Sequence, residues 1–236
     1  MSSIVPLRNH LLHSLPSADL DTLLPHLETV ELVREAVVVK AGRPLTHVWL
    51  PHSGVISLVV RLSAGETVQV AMVGSDSAFG AAAALDGLVS LTDAVVVVPG
   101  TASLLAVADL RAAAARSVAF RTLFVRHEQA LLAQAQQAAA CNACHSVEAR
   151  LSRWLLRARD LSDIENLPLT QEFMAQMIGV QRNAVSVVAH ALQQAGIIRY
   201  SRGHLAITDL SALKAASCEC YQAVKAPYDR LLQPAG

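Results

Sequence analysis

From Leu110 to Asn142 the chain runs without a proline or a glycine, and Ala, Gln and Leu dominate. A stretch built from strong helix formers with no stop signal predicts one long helix. Phe120, Leu123 or Phe124, His127, Leu131 and Gln134 recur along it at three- and four-residue steps, and Ala135, Ala138 and Ala139 extend that face with small side chains. An Ala-rich stripe on a helix this long reads as a seam against a like helix, so Phe120, Leu123, Phe124, His127, Leu131, Gln134 and Ala138 are the expected homodimer interface. An ordinary core helix packed on the preceding domain is the alternative.

The chain has a different texture on either side of that helix. Residues 1–25 hold two short amphipathic pieces, around Leu7–Leu15 and Ser17–Leu24. Ser17 is the expected cap of the second, ahead of Asp19 and Asp21. From Leu27 to Ala108 short β-branched runs appear: Val37–Val39, Val55–Val60, Thr67–Val73 and Ala94–Val98. The turn signals AGRP, PHSG, SAGE and VPG separate them. Short strands at that spacing predict an all-β sandwich or barrel rather than alternating strands and helices.

After Ser146 the pattern is helical with one β signal. Val147, Leu151, Trp154 and Leu155 form a stripe, with Arg150, Arg153, Arg157 and Arg159 expected mostly on the opposite face. DLSDIENLP is a polar break. Thr170 then caps a short helix, Gln171–Ile178, ended by Gly179, and a second helix runs from about Arg182 to Ala195, ended by Gly196. IIRYSRGHLAIT follows as two strands around a Ser-Arg-Gly turn. The stretch IGVQRNAVS opens the second helix with long hydrogen-bonding side chains that capping does not need. Two helices joined at a glycine and followed by a two-stranded wing make a winged helix-turn-helix, whose second helix reads the major groove. Arg182 can fork onto a guanine, and Gln181 or Asn183 can pair with an adenine. Ser186 adds to that surface, Thr170 and Gln171 reach a phosphate, and Arg199 and Arg202 on the wing add phosphate contacts.

Charged residues make up 16% of the chain and the formal net charge is zero, so a polyanion has to meet a local basic patch. No apolar run reaches the length of a membrane helix, and the N-terminus has no secretory pattern. Four cysteines are too few for a disulfide scaffold, which makes a reducing cytoplasm the expected location. No nucleophile–base pair, phosphate loop or HExxH-type site is present, which argues against an enzyme. A ligand or redox sensor acting through protein–protein contacts is the competing class.

The stretches VWLPHSGVISLV, VGSDSAFG, HSVEARLSRWLL and LTQEFMAQMIGVQRNAVSVVAHALQQAGIIRYSRGHLAITD resemble the CRP/FNR (cyclic-AMP receptor protein/FNR) family of bacterial transcription regulators. The resemblance implies an α+β fold. Residues 1–108 would form a β-roll sensor resembling a cyclic-nucleotide-binding jelly roll, 109–145 a dimerisation helix, and 146–236 the winged helix-turn-helix. It also implies a homodimer on near-palindromic double-stranded DNA, in contact with RNA polymerase. Its effector pocket would fall on Met72, Gly74, Ser75, Asp76, Phe79, Gly80 and Ala81. The family's cyclic-nucleotide binders carry a Glu for the ribose and an Arg for the phosphate. The corresponding run here, GSDSAFGAAAALDGLVSLTDA, has no Arg, Lys or Glu, and Asp76 would repel a phosphate. Arg61 and Arg111, outside that run, are the candidates for a substitute cation, and amides near Gly80–Ala82 for an anion nest. No cofactor and no cyclic-nucleotide dependence are expected. Cys141 and Cys144 with His145 look like half a metal knuckle and Cys218 and Cys220 like the other half. A C-x-C pair within a helix, however, would point its thiols about 200° apart. Inert thiols and no metal are the expectation.

Overall fold

The computed structural model describes residues 7–86, 89–162 and 164–232; Gly87 and Leu88 of the cassette run and Asp163 of the polar break lie outside them. Two short helices, α1 (His10–His13) and α2 (Ser17–Leu23), lead in. Asn9 fixes the first: its Oδ1 accepts from the Leu12 amide while its Nδ2 donates to the Pro51 and Ser77 carbonyls, at 2.8 and 2.9 Å. Ser17 does not cap α2, because Pro16 takes the cap position and makes no side-chain bond, leaving Ser17 as the first helical residue. A proline there presets the entry angle at no cost in donors.

Seven strands follow: β1 (Leu27–Leu32), β2 (Val37–Val39), β3 (His47–Pro51), β4 (Val55–Arg61), β5 (Thr67–Val73), β6 (Asp93–Val98) and β7 (Gly100–Ala106), with helix α3 (Ala81–Asp86) between β5 and β6. They form two antiparallel sheets, ordered β1-β7-β3 and β2-β6-β4-β5. Only Pro99 separates β6 from β7, so the chain switches sheets at one corner. There the turns PHSG and VPG press together: a Cβ on Gly54 or Gly100 would collide with the other turn's backbone. Glycine is required at both. Inward residues of the two sheets, among them Ile56, Val73, Val96 and Ala102, share one apolar core.

The single long helix expected from Leu110 to Asn142 is two helices, α4 (Val107–Arg116) and α5 (Val118–Cys144), broken at Ser117. Ser117 is extended; its hydroxyl accepts from the Phe120 amide at 3.1 Å and donates to Asp19 Oδ2 at 2.6 Å. A serine cap held by a distant carboxylate stops a helix as effectively as a glycine.

The remaining elements are α6 (Val147–Ser162), β8 (Asn166–Leu167), α7 (Gln171–Ile178), α8 (Arg182–Gln194), β9 (Ile198–Ser201), β10 (His204–Ile207), α9 (Leu210–Ala216) and α10 (Cys220–Leu231). β8 was not foreseen; it adds to the hairpin, giving the order β8-β10-β9. The expected solvent face of α6 is buried. Arg150, Arg153 and Arg157 are each at most 9% exposed, and Arg159 alone reaches solvent. α6 runs between the roll and the C-terminal helices, so Arg157 meets Asp76 on one side and Arg150 the Ile178 carbonyl on the other. Trp154, Leu155, Leu161 and Met174 form one continuous core with Val55, Val59, Met72, Val97 and Val98 of the roll. Among the described residues no helix is long and apolar enough to cross a membrane.

Candidate nucleic-acid interface and effector cavity

Thr170 Oγ1 accepts from the Phe173 amide at 3.1 Å and starts α7. Gly179 ends it with φ at +65°, and a Cβ there would lie 3.2 Å from the Val68 methyl groups of β5. That close approach seats the turn between α7 and α8 on the roll. The Trp154 indole donates to Gln69 Oε1 at 3.0 Å, and Arg150 donates to the Ile178 carbonyl. Gln181 is the cap residue ahead of α8 and makes no side-chain capping bond. Its side chain is exposed and is not spent on the cap.

α8 buries Val185, Ala189 and Leu192 and turns Arg182, Asn183, Val187 and His190 outward, with Ser186 half-buried beside them. The Arg182 side chain is 68% exposed; its nearest anion, Glu172, is 3.9 Å away, a weak hold on a solvated guanidinium. Asn183 Oδ1 accepts from the Ala184 amide at 2.9 Å, leaving its NH2 free. The Ser186 hydroxyl donates to Gln171 Oε1 at 2.6 Å, so this pair braces α7 against α8. Ser186 can only accept from a base, and Gln171 keeps its NH2 for a phosphate. Sequence reasoning missed Val187, 70% exposed, and His190. Both continue the face of Arg182, Asn183 and Ser186 at helical steps, which is the signal that could have found them.

The wing turns at Arg202 and Gly203, with φ of +50° and +79°. Two successive left-handed residues make the tight hairpin that matches strand twist, and they place Arg202 at the exposed tip. Arg199 is exposed on β9. Gln193 Oε1 accepts from the Tyr200 amide at 2.8 Å, tying the wing to α8. Thr170, Gln171, Gln181, Arg182, Asn183, Ser186, Arg199 and Arg202 thus belong to one module.

The expected effector residues separate. Phe79 and Gly80 line a cavity of about 450 Å³ under α5, walled by Leu58, Val70, Ala71, Leu131 and Leu132, with Ser90, Thr92 and Glu128 as its polar groups. Ser75 and Asp76 instead face a crevice against α6 and α10. Met72 and Ala81 are buried outside that lining, and a Cβ on Gly74 would strike Leu161 of α6. Asp76 is not a charge waiting to repel a ligand. It lies 2.8 Å from Arg157, whose guanidinium stacks 4.8 Å from the Tyr228 ring centroid. Burial is the largest single influence and works against the Arg157 charge, but Asp76, Tyr228 and Asp160 together hold that pKa above its ordinary value. Arg61 pairs with Asp93 at 3.2 Å and Arg111 donates to the Ala84 carbonyl at 2.7 Å, so neither supplies the cavity with a cation. The expected anion nest has an occupant, since Glu128 Oε1 accepts from the Ala82 amide at 3.3 Å.

The stripe expected to be the dimer seam lies inside the subunit. Phe120, Phe124, His127, Gln134 and Ala138 are buried against the roll and α10, while Leu123 and Leu131 are half-buried. His127 Nε2 accepts from the Ala78 amide at 3.1 Å. Gln134 accepts from the Met72 amide at 2.9 Å and donates to the Tyr228 hydroxyl at 2.9 Å. The free face of α5 carries Val118, Val125 and Leu132, 67%, 53% and 59% exposed, with exposed Ala139 one heptad further on.

The cysteines also sit differently. Cys218 precedes α10 and only Cys220 is helical, so the two thiols do not diverge as they would within one helix. Both approach Cys141 and His145 at the end of α5, whereas Cys144 is exposed and apart. Burial, then the neighbouring Cys141 sulfur, pushes the free Cys218 thiol up to about 12; burial also raises Cys141.

Two domain families match the chain: the cyclic nucleotide-binding domain over residues 29–117 and the Crp-like helix-turn-helix domain over residues 149–216. Among solved structures, FixK2 from Bradyrhizobium japonicum superposes with a TM-score of 0.69 at 16% identity, covering 81% of this chain and 98% of its own. CLP from Xanthomonas campestris, described as a c-di-GMP-responsive global regulator, gives 0.64 at 15% identity, covering 82% and 100%. A CRP-family transcriptional regulator from Thermus thermophilus gives 0.62 at 20%, covering 80% and 96%. No curated protein sequence matches the chain.

Proposed function

We propose, since the chain belongs to the CRP/FNR family of DNA-binding transcription regulators, that it works in the cytoplasm as a homodimer on a near-palindromic promoter site, without cyclic-nucleotide control. Residues 1–108 form the sensor, 109–145 the joining helices and 146–236 the reader. Its role is regulation, not catalysis, with RNA polymerase as the partner on the promoter. α8 enters the major groove: Arg182 takes guanine O6 and N7, Asn183 or Gln181 takes adenine, and Val187 meets a thymine methyl. Arg199, Arg202 and the amide end of α7 at Thr170 and Gln171 hold phosphates. The dimer forms along Val118, Val125, Leu132 and Ala139. With the residues one turn on, Thr122, Gln129, Gln136 and Ala143, this heptad stripe contains no charge.

The observation that carries the DNA reading is the first turn of α8, where Gln181, Arg182 and Asn183 stand exposed over a buried Val185, Ala189 and Leu192. Selection of bound DNA from a random pool by the purified protein tests it. The expected product is an inverted repeat with half-sites about 34 Å apart. A pool that shows no enrichment refutes the reading.

Cyclic-nucleotide independence rests on Glu128, whose carboxylate takes the amide a phosphate would need. An incoming phosphate would meet that carboxylate and no cation among the described residues lining the cavity. Calorimetry with cyclic AMP and cyclic GMP should find no dissociation constant below about 10 μM, a free energy near −7 kcal/mol; tighter binding refutes it. The apolar walls favour a neutral, largely apolar effector.

A further inference from the structure

We propose that Cys141, His145, Cys218 and Cys220 bind one zinc ion, which pins the bend between α5 and α6 to the link ahead of α10. The four residues come from two distant parts of the chain, yet their ligand atoms all lie within 4.8 Å of one another. Cys141 Sγ is 3.6 Å from Cys218 Sγ, and Cys220 Sγ is 3.5 Å from His145 Nδ1. A tetrahedron around zinc, with bonds of about 2.3 Å to sulfur and 2.0 Å to nitrogen, has edges of about 3.5–3.8 Å. These two separations are of that size, and no pair of ligand atoms is more than 4.8 Å apart. They are far too long for a disulfide, whose sulfurs sit about 2.05 Å apart. They are also too short to enclose an iron–sulfur cluster, which puts several metals and bridging sulfides between its terminal ligands.

The donor set agrees with the spacing. Three thiolates and an imidazole suit a soft, tetrahedral ion and leave no position open for water, as in a structural zinc site. The surroundings agree as well. His145 Nε2 lies 3.2 Å from Glu219 Oε1, which fixes the ring proton on Nε2 and turns the Nδ1 lone pair toward the sulfurs. Gln137 Nε2 donates to Cys220 Sγ at 3.0 Å. Arg153 supplies positive charge beside Cys141, against the net negative charge that three thiolates leave on a zinc centre. Cys141, Cys218 and Cys220 are buried while His145 is 25% exposed, so an ion can enter at the imidazole side.

The placement gives the ion a job. His145 follows the last residue of α5 and α6 starts at Val147, so this bend is where the long helix hands over to the DNA reader. Cys218 and Cys220 flank the start of α10, which packs back along α5. One ion therefore fixes the angle at which the reader leaves the long helix.

The test uses the full chain under reducing conditions and does not depend on DNA. After equilibration with zinc and desalting, elemental analysis should find about one zinc per chain. Replacing zinc by cobalt should give the thiolate charge-transfer and visible bands of a tetrahedral site. Cys144→Ser should keep the full equivalent, while Cys141→Ser and Cys220→Ser should lower cobalt affinity by about 100-fold or more. Glu219→Gln should weaken it about 10- to 100-fold with an unchanged spectrum. Less than half an equivalent of zinc in the folded wild type, with all four thiols free to titrate, overturns the proposal. So does iron with acid-labile sulfide, or a loss on Cys144→Ser equal to that on Cys141→Ser. The wild-type cobalt spectrum decides the matter even if a cysteine variant fails to fold.

Discussion

Replacing Asp76 with alanine should destabilise the protein by about 3–5 kcal/mol, because it strands the Arg157 guanidinium in the interior. Arg157 is 5% exposed and Asp76 7%, and their closest atoms are 2.8 Å apart. At that distance, with an effective dielectric constant of about 20, the gross attraction is about 6 kcal/mol. Desolvation of the two ions consumes most of it, so the pair adds little net stability, yet removing one member leaves the whole penalty of the other. The second member should therefore be dispensable once the first is gone. Arg157→Met in the Asp76→Ala background should recover all but about 1–2 kcal/mol, since methionine fills much of the same volume beside Tyr228. Urea denaturation of the wild type, both single variants and the double variant gives the coupling energy directly. A loss below about 1 kcal/mol in Asp76→Ala, or no recovery in the double variant, refutes the view of Asp76 as a brace between the roll and α6. A gain in cyclic-nucleotide affinity by Asp76→Ala would return that carboxylate to the effector pocket.

Leu132→Glu puts a charge in the middle of the exposed α5 stripe and should convert the dimer to monomer in sedimentation at micromolar concentration; Leu131→Glu, at a half-buried position, should cost more stability than Leu132→Glu. Arg182→Ala should cost about 1–3 kcal/mol and relax preference at one position per half-site in binding assays. Arg202→Ala should weaken all sequences alike and reduce the salt slope by about one unit. Burial, and then the charge of His13, hold the His52 imidazole below its ordinary pKa. Its stabilising contribution is therefore full above the unfolded value of about 6.5 and is lost as pH falls from there toward the folded value. Urea midpoints between pH 8 and 5.5 should fall less steeply in His52→Asn than in the wild type; equal slopes would remove His52 from the account.

The helix pair and wing were legible because their signals are local: Thr170 as cap, Gly179 and Gly196 as stops, and alternation between Ile198 and Ile207. What depended on distant partners was not. Ser117 breaks the long helix with the help of Asp19, 98 residues away, and no composition rule reports such a pair. α5 has two apolar stripes offset by a residue or two, and the larger side chains, Phe120 and Phe124, go to the subunit's own core. The smaller ones, Val118, Val125 and Leu132, stay exposed. The arginines of α6 read as a wet face until Asp76 and the Ile178 carbonyl, from other elements, are brought against them. The closeness of the thiols was not legible, because Cys218 and Cys220 do not share a helix. Cys218 lies outside α10, which begins at Cys220, and that offset reverses the geometry.

The core that Trp154, Leu155 and Met174 share with Val55, Val97 and Val98 has a consequence for how such a chain can evolve or be engineered. Sensors and readers are commonly pictured as interchangeable modules, exchanged at a linker. Here the reader's first helix completes the roll's own interior, and Gly74 and Gly179 each admit a side chain from the other half at contact distance. A cut near residue 146 would leave apolar surface open on both pieces, and a transplanted reader would carry Trp154 to a roll without Gln69 to receive its N–H. With that core shared, the two halves should melt in one cooperative transition.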